Sequence, residues 1–82
     1  MKKLLRQLYP KADRRRLYML HGLAKEKNAP EREEDIDNIF ASIIRHTETH
    51  YDSLLEKGVK RQCARAIVAP KVNKMIKYFK GF

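Results

Sequence analysis

The stretch Ile36-Asp37-Asn38-Ile39-Phe40-Ala41-Ser42-Ile43-Ile44 decides the fold of this chain. Its large apolar side chains fall at positions i, i+3, i+4, i+7 and i+8, which is the spacing of a helix with one buried face. A strand would instead alternate apolar and polar side chains, and no segment of the sequence shows that alternation. The stretch therefore predicts an amphipathic helix at the centre of a core.

The helical phase continues beyond this stretch through Leu54-Leu55 to Gly58. Thr49 and Asp52 have the spacing of a helix-capping pair, and residues 46–49 are mediocre helix formers. We therefore predict that the helix breaks near residues 46–49. A short helix should follow and end at Gly58, because glycine is a frequent C-terminal stop.

Helical spacing also holds before the central stretch. A first helix should stop before Pro10, because proline disfavours the helical conformation in the residue that precedes it. Asp13 is a good N-cap for a second helix. The run Asn28-Ala29-Pro30-Glu31 is predicted to start the central helix, with Asn28 as its cap and Glu31 at the capping-box position.

Helical spacing resumes after Gly58 and runs to the end of the chain, although Pro70 predicts a kink or restart near Val68-Ala69. The predicted fold is all-α, a compact bundle of four to five helices in one domain over residues 1–82. Basic helices occupy residues 1–27, and the core helices occupy residues 28–82. The predicted core consists of Ile36, Ile39, Phe40, Ile43, Leu54, Leu55, Ile67, Val68, Val72 and Ile76.

Composition limits the class of protein. A chain of 82 residues, 43% hydrophobic and 35% charged, can build one modest core but not a large multidomain enzyme. No apolar run approaches the 18 residues of a membrane span, so we expect no membrane association. The single cysteine, Cys63, excludes an internal disulfide and favours a reducing, cytoplasmic location.

The net charge of +9 is unevenly distributed. Residues 1–25 carry +7, residues 26–58 carry −5, and residues 59–82 carry +7. If the two basic ends fold close together, they form a positive face typical of a protein that binds polyanions. The alternative is that the acidic centre packs between the ends and neutralises them.

The segment around Gly58 is typical of a helix-turn-helix. That motif needs a tight turn with a left-handed glycine, an apolar residue after it, and a second helix docked through small and aliphatic side chains. Gly58, Val59, Ala64 and Ile67 fill those places. Lys57 departs from the pattern, which favours an apolar residue there, and an ordinary helical hairpin is the alternative.

Basic side chains accompany this hairpin. Lys60, Arg61, Gln62 and Arg65 would lie at the exposed start of the second helix, and such residues pair with phosphates and with purine edges in the major groove. The run Arg14-Arg15-Arg16 spans almost a full helical turn, so its guanidinium groups cannot all be buried. Phosphate contact, ion pairing with acids such as those at residues 33–35, or simple solvation all remain open for it.

The densest polar cluster has no clear chemical assignment and comprises Arg45, His46, His50, Tyr51 and Asp52. His46 and His50 have the i, i+4 spacing that can hold a metal, but no C-x-x-C or H-E-x-x-H accompanies them, and we predict no metal site. A histidine with Asp52 or Glu48 could exchange protons, yet no nucleophile is evident, and we predict no enzyme. The structural alternative is helix capping and packing.

Cys63 lies between two arginines, which could stabilise a thiolate. A free cysteine is more often a small buried apolar side chain, and we predict burial here. The lysines of residues 71–80 with neighbouring aromatic residues form a basic amphipathic segment whose apolar face continues the core pattern.

From about residue 45 to 79 the chain resembles a family of bacterial and fungal domains of unknown function, number twenty-two ninety-three. The shared pattern is an Arg-His pair, Thr-x-Tyr-Asp-x-Leu-Leu, a glycine, Arg and Ala-Arg, and spaced aliphatics before an aromatic residue. Here it reads Arg45-His46, Thr49, Tyr51-Asp52, Leu54-Leu55, Gly58, Arg61, Ala64-Arg65, Val68, Val72, Ile76 and Phe79. The family commonly ends in tryptophan rather than phenylalanine, and residues 1–30 have no counterpart in the pattern. The resemblance implies a shared fold unit and supplies no chemistry.

Two classes of function remain. The first is a small basic nucleic-acid-binding module, with DNA favoured over RNA because no stacking platform of aromatics is evident. The second is a non-catalytic protein-interaction module, such as a small regulator or inhibitor, that docks on a larger partner. Its basic residues would suit an acidic protein surface, and the acids of residues 31–37 a basic one. No cofactor is expected in either case, and tight specific DNA binding would favour a homodimer, since one small domain offers one half-site.

Overall fold

A computed structural model describes the backbone of residues 2–82 and the side chains of residues 3–82. These residues form five helices and no strand, which confirms the all-α prediction; Met1 lies outside them. The helices are α1 (Lys2–Leu8), α2 (Arg14–Glu26), α3 (Glu33–Glu48), α4 (Tyr51–Glu56) and α5 (Arg61–Lys80). None of the helices over this range is long and apolar enough to cross a membrane.

The end of the first helix and the start of the second lie where the sequence predicts. α1 ends before Tyr9-Pro10, and α2 begins directly after Asp13. The Asp13 side chain accepts a hydrogen bond from the backbone amide of Arg16, which satisfies one of the unpaired donors at the start of α2.

Three helices end in the same way. After α4, the amide of Gly58 donates to the carbonyl of Leu55 and the amide of Val59 donates to that of Leu54, with Gly58 in the left-handed conformation at φ 88°. This pair of bonds is the Schellman motif. It recurs after α5 at Gly81 and after α2 at Asn28.

The prediction that Asn28 caps the start of the central helix is therefore wrong. Asn28 has φ 51° and closes α2, while α3 begins at Glu33 with Arg32 at its N-cap. Asparagine suits both roles, because its short polar side chain tolerates the left-handed conformation as well as capping. The acids at residues 33–35 still occupy the first turn of α3, where the helix dipole favours negative charge.

The predicted break in the central segment is confirmed between Glu48 and Tyr51. Thr49 is extended, and its hydroxyl accepts a hydrogen bond from the amide of Tyr51 at 3.2 Å and donates to the carbonyl of Arg45. The partner expected at the other end of the capping pair, Asp52, instead binds a histidine side chain.

Helix α5 runs through Pro70 without the predicted restart. Pro70 removes one donor and leaves the carbonyl of Ala66 without its usual intrahelical partner. Both residues are exposed, so water can satisfy that carbonyl.

One core forms between α3 and its neighbours. Six of the ten predicted core residues are buried, and Leu54, Leu55 and Ile76 are half-buried and pack against them. Ile67 is 54% exposed, so its assignment to the core is wrong; the adjacent Val68 is buried instead. Cys63 is also exposed rather than buried. The other buried apolar residues are Leu5, Tyr9, Leu20, Ala24, Ile44, Tyr51, Ala64 and Phe79.

Aromatic rings join distant parts of the chain within this core. The ring of Tyr9 meets that of Phe40 edge-on at 4.5 Å between centroids, and Phe40 lies 5.5 Å from Phe79. The amide of Lys11 donates to the carbonyl of Phe79 at 3.1 Å. The segment between α1 and α2 is thereby held against the C-terminal end of α5.

Candidate nucleic-acid interface

Three of the five acidic residues of α3 bind basic side chains from other helices. Glu48 pairs with Arg16 of α2, and Asp37 and Glu33 both pair with Lys80 of α5, at 2.6 and 3.0 Å. The acidic centre of the sequence therefore neutralises part of the positive charge at each end.

Asp37 also accepts a hydrogen bond from the buried hydroxyl of Tyr9. Burial, together with this bond to a carboxylate, raises the pKa of Tyr9 far above its ordinary value. Burial alone would lower the pKa of Lys80, but its hydrogen bonds to Asp37 and Glu33 outweigh that effect and raise the pKa. Tyr9, Asp37 and Lys80 thus form a hydrogen-bonded network that links the end of α1 to α3 and α5.

The three consecutive arginines occupy different environments. Arg16 is half-buried: it binds Asp13 at 2.7 Å and Glu48, and its guanidinium lies 5.2 Å from the centre of the Phe79 ring. The hydrogen bond to Asp13 raises the pKa of Arg16 and lowers that of Asp13. Arg14 and Arg15 are exposed and form no ion pair among the described residues.

The residues predicted to read DNA are all exposed at the start of α5. Lys60 precedes the helix, and Arg61, Gln62 and Arg65 lie in its first two turns. Within residues 2–82 no acidic side chain pairs with Lys60, Arg61 or Arg65. The structure thus leaves this group of cations available to a ligand.

The hairpin that carries these cations is built by α4, the left-handed turn at Gly58 and α5. Val59 is half-buried beside the turn, and α5 contributes Ala64 and Val68 to the core. The helix-turn-helix expectation is correct for Ala64 but wrong for Ile67, because the inward face of α5 runs through Ala64, Val68 and Val72 and leaves Ile67 54% exposed. Arg61 and Arg65 flank Ala64 and remain outside the core.

Arg14 lies near the opposite end of α5 from Arg61. The amide bond of Lys11 to Phe79 fixes the segment before α2 against the end of α5, and the Lys11 ammonium lies 5.5 Å from the centre of the Tyr78 ring. At 1.5 Å rise per residue, Tyr78 is about 26 Å along the helix from Arg61. The predicted basic groups around Arg14 and Arg61 therefore lie near opposite ends of α5 and do not form one continuous cluster.

The polar cluster at the α3–α4 break is organised by packing. His46 Nδ1 lies 2.7 Å from Asp52 Oδ1, and the His46 ring meets that of buried Tyr51 edge-on. The Arg45 guanidinium lies 5.5 Å from the centre of the Tyr51 ring, while His50 is exposed beside them. Over the described part of the chain, no three His, Cys, Asp or Glu side chains are grouped as a metal would require.

A shallow groove between α1 and α2 was not predicted from the sequence. It has a volume of about 320 Å³ and is lined by Arg6, Tyr9, Pro10, Ala12, Arg14 and Leu17. Arg6 lies in a short helix with no motif around it, so only the packing of α1 on α2 brings it beside Arg14. No local sequence signal could have paired these two arginines.

A family model described as "Uncharacterized conserved protein (DUF2293)" matches residues 4–80. The match confirms the resemblance found over residues 45–79 and extends it through α1 and α2. No curated protein and no solved structure matches the chain.

Proposed function

The chain belongs to the DUF2293 family, and we propose that it binds duplex DNA through the first turns of α5. The observation that carries the proposal is that Lys60, Arg61 and Arg65 are exposed and form no ion pair among the described residues, whereas Glu33, Asp37 and Glu48 of α3 bind other cations. Cations without internal partners are available to release counterions from a phosphate backbone.

The residue types at this position favour base contacts as well as phosphate contacts. Arginine pairs in a bidentate manner with guanine, and glutamine does so with adenine, from a helix in the major groove. Arg61, Gln62 and Arg65 lie within two turns at one helix end, and burial of Ala64 and Val68 fixes that helix on the bundle. A rigid support of this kind is what direct readout needs.

Duplex DNA is favoured over single strands or RNA loops by the position of the aromatic residues. The exposed aromatic residues Tyr18, Tyr78 and Phe82 lie on α2 and at or beyond the far end of α5, and the described first two turns of α5 carry no aromatic residue beside Arg61 and Arg65. Binding of unstacked bases requires aromatic rings beside the cations. In this proposal the protein works without a cofactor, as a non-enzymatic module of the cytoplasm.

Fluorescence anisotropy with a labelled 16-base-pair duplex of random sequence tests the proposal. With four to six phosphate contacts, the slope of log affinity against log salt between 50 and 200 mM should be about −4 to −5. The variant R61Q/R65Q should reduce the magnitude of this slope by about 2. The matched control K25Q/K27Q removes the same charge from the end of α2 and should change it much less.

Sequence preference separates the two kinds of contact. Arg14→Ala should weaken binding to all duplexes alike, whereas Arg61→Ala or Gln62→Ala should also relax any base preference by about 1–3 kcal/mol. Tight specific binding should coincide with a dimer in sedimentation on a two-site duplex. No duplex binding at 50 mM salt, or binding indifferent to R61Q/R65Q, overturns the proposal.

A protein-interaction module is the second candidate, favoured by one further observation. Ile67 and Tyr78 are 54% and 58% exposed, and Lys71 and Lys74 lie between them on the same stripe of α5. Exposed apolar residues with lysines between them suit an acidic amphipathic partner. A designed acidic helical peptide titrated into ¹⁵N-labelled protein should shift the amides of this stripe, and I67D should abolish the shifts; undisturbed amides would exclude this candidate.

A further inference from the structure

We propose that the groove between α1 and α2 is a second anion site that holds one backbone phosphate of a bound duplex. The inference rests on the proposed function and assigns Arg6 and Arg14 as the residues that clamp the phosphate. It adds an anchoring point that is separate from the first turns of α5.

The lining of the groove fits a phosphate with its attached sugar. Besides the two arginines, the groove is lined by Pro10, Ala12 and Leu17, which offer apolar surface, and by buried Tyr9, whose hydroxyl is already bound to Asp37. No acidic residue lines the groove. Its volume of about 320 Å³ is large enough for a phosphodiester group and part of a sugar.

The guanidinium groups of Arg6 and Arg14 are exposed and have no counterion within the described part of the chain. Among the described residues neither Arg6 nor Arg14 forms an ion pair, and the nearest acid in sequence, Asp13, is bound to Arg16. Arg14 also occupies the first position of α2, where a positive charge opposes the helix dipole. Arg6 and Arg14 line the same groove, although two positive charges repel each other and Arg14 also opposes the helix dipole. A bound ligand that carries negative charge would offset both costs.

Arginine is the side chain suited to this task. Its planar fork donates two parallel hydrogen bonds to phosphate oxygens, so two arginines can hold one phosphate from both sides.

The position of the groove fixes the length of DNA that can use it. The segment between α1 and α2 is held against Phe79 and Tyr78, about 26 Å along α5 from Arg61. At 3.4 Å per base pair, that distance corresponds to about 8 base pairs of duplex. A duplex shorter than this can reach one of the two sites but not both.

Duplex length therefore provides the test. On a 16-base-pair duplex, R6Q/R14Q should lower affinity about tenfold near 0.1 M salt and reduce the magnitude of the salt slope by about 0.9, as expected for one phosphate. On a 6-base-pair duplex the same variant should match the wild type within twofold. The control K25Q/K27Q, which removes two exposed lysines remote from the groove, should show no such dependence on length.

The source of the phosphate is distinguished by small probes. Titration of ¹⁵N-labelled protein with dimethyl phosphate should shift the side-chain Nε–H signals of Arg6 and Arg14, and R14Q should abolish the shift at Arg6. If inorganic phosphate shifts them but R6Q/R14Q leaves 16-base-pair binding unchanged, the groove is a site for free anions and the inference is wrong. Binding that responds to R61Q/R65Q but not to R6Q/R14Q overturns the inference alone, whereas a wild type that binds no duplex overturns the proposed function.

Discussion

Both ends of α5 carry basic side chains, which are bound by acids at the C-terminal end and exposed at the N-terminal end. At its C-terminal end Phe79 lies in the aromatic core, and Lys80 is bound by Asp37 and Glu33. At its N-terminal end Arg61 and Arg65 are exposed with no acidic partner in the described chain. The same helix is anchored at one end and presents unpaired cations at the other.

The difference shows that α3 determines what a basic residue does in this protein. Where an acid of α3 reaches a cation, as at Lys80 or Arg16, the cation joins the structure. Where no acid among the described residues reaches it, as at Arg61 or Arg14, the cation remains exposed. Stability should therefore depend on the first group and binding on the second.

The largest expected effect lies at the anchored end. Phe40→Ala removes the ring between Tyr9 and Phe79 and should lower the free energy of unfolding by about 3–5 kcal/mol in urea denaturation. Phe82→Ala is the control, because that ring is 90% exposed, and it should stay within about 0.5 kcal/mol. Equal losses in the two variants would contradict the aromatic anchor.

Neighbouring residues of α5 provide the next test. Val68→Ala should cost about 2 kcal/mol, because it removes two buried carbon groups, whereas Ile67→Ala should cost less than about 0.5 kcal/mol. Chemical denaturation of the two variants compares them directly. A larger loss of stability in Ile67→Ala than in Val68→Ala would place Ile67 in the core, as the sequence analysis expected.

The hydrogen bond from Tyr9 to Asp37 should contribute somewhat less to the free energy of unfolding than the Val68 side chain does, and its contribution should depend on pH. Tyr9→Phe removes the hydrogen bond to Asp37 and should cost about 1.5 kcal/mol at pH 7. The raised pKa of Tyr9 means that above pH 10 the unfolded chain loses this proton while the folded chain retains it.

Stability should consequently fall as the pH rises above 10, by up to about 1.4 kcal/mol per pH unit from Tyr9. The raised pKa of Lys80 acts in the same direction. Denaturation at pH 9, 10 and 11 should show a shallower fall for Tyr9→Phe than for the wild type. Parallel curves would contradict the role assigned to the Tyr9 hydroxyl.

The smallest expected effect compares two lysines of the same helix turn. Lys80→Gln breaks contacts with Asp37 and Glu33 and should cost about 1 kcal/mol, since the ammonium is largely shielded from water. Lys77→Gln removes an exposed charge with no ion pair among residues 3–82 and should be nearly neutral. Thermal unfolding of both variants at low and high salt measures the difference, which salt should diminish.

Local patterns predicted most of the fold because helix starts, stops and apolar periodicity are properties of short segments. They failed where one residue suits two roles, as Asn28 does, and where two apolar residues are adjacent, as at Ile67 and Val68. Periodicity alone cannot decide which of such neighbours faces the core. Tertiary packing decided both cases.

The candidate site shows a sharper limit. The exposure of the cations around Arg61 at the start of α5 was predictable, since the charged residues and the turn signal at Gly58 lie close together in the sequence. The different environments of Arg14, which is exposed, and Arg16, which is half-buried, were not predictable. They depend on the ion pair of Arg16 with Glu48, more than thirty residues away. The pairing of Arg6 with Arg14 likewise depends on how α1 packs on α2.

The hydrogen bond from Lys11 to Phe79 has a consequence for how the molecule opens. α1 has seven residues, too few to be helical alone, so its helix exists because Leu5 and Tyr9 are buried. When the end of α5 detaches, the bond from Lys11 to Phe79 breaks and Phe40, on which Tyr9 packs, loses its contact with Phe79, so α1 should unravel in the same event. In hydrogen exchange, the amides of α1 and of the last turn of α5 should therefore exchange as one cooperative unit, although nearly the whole chain separates them.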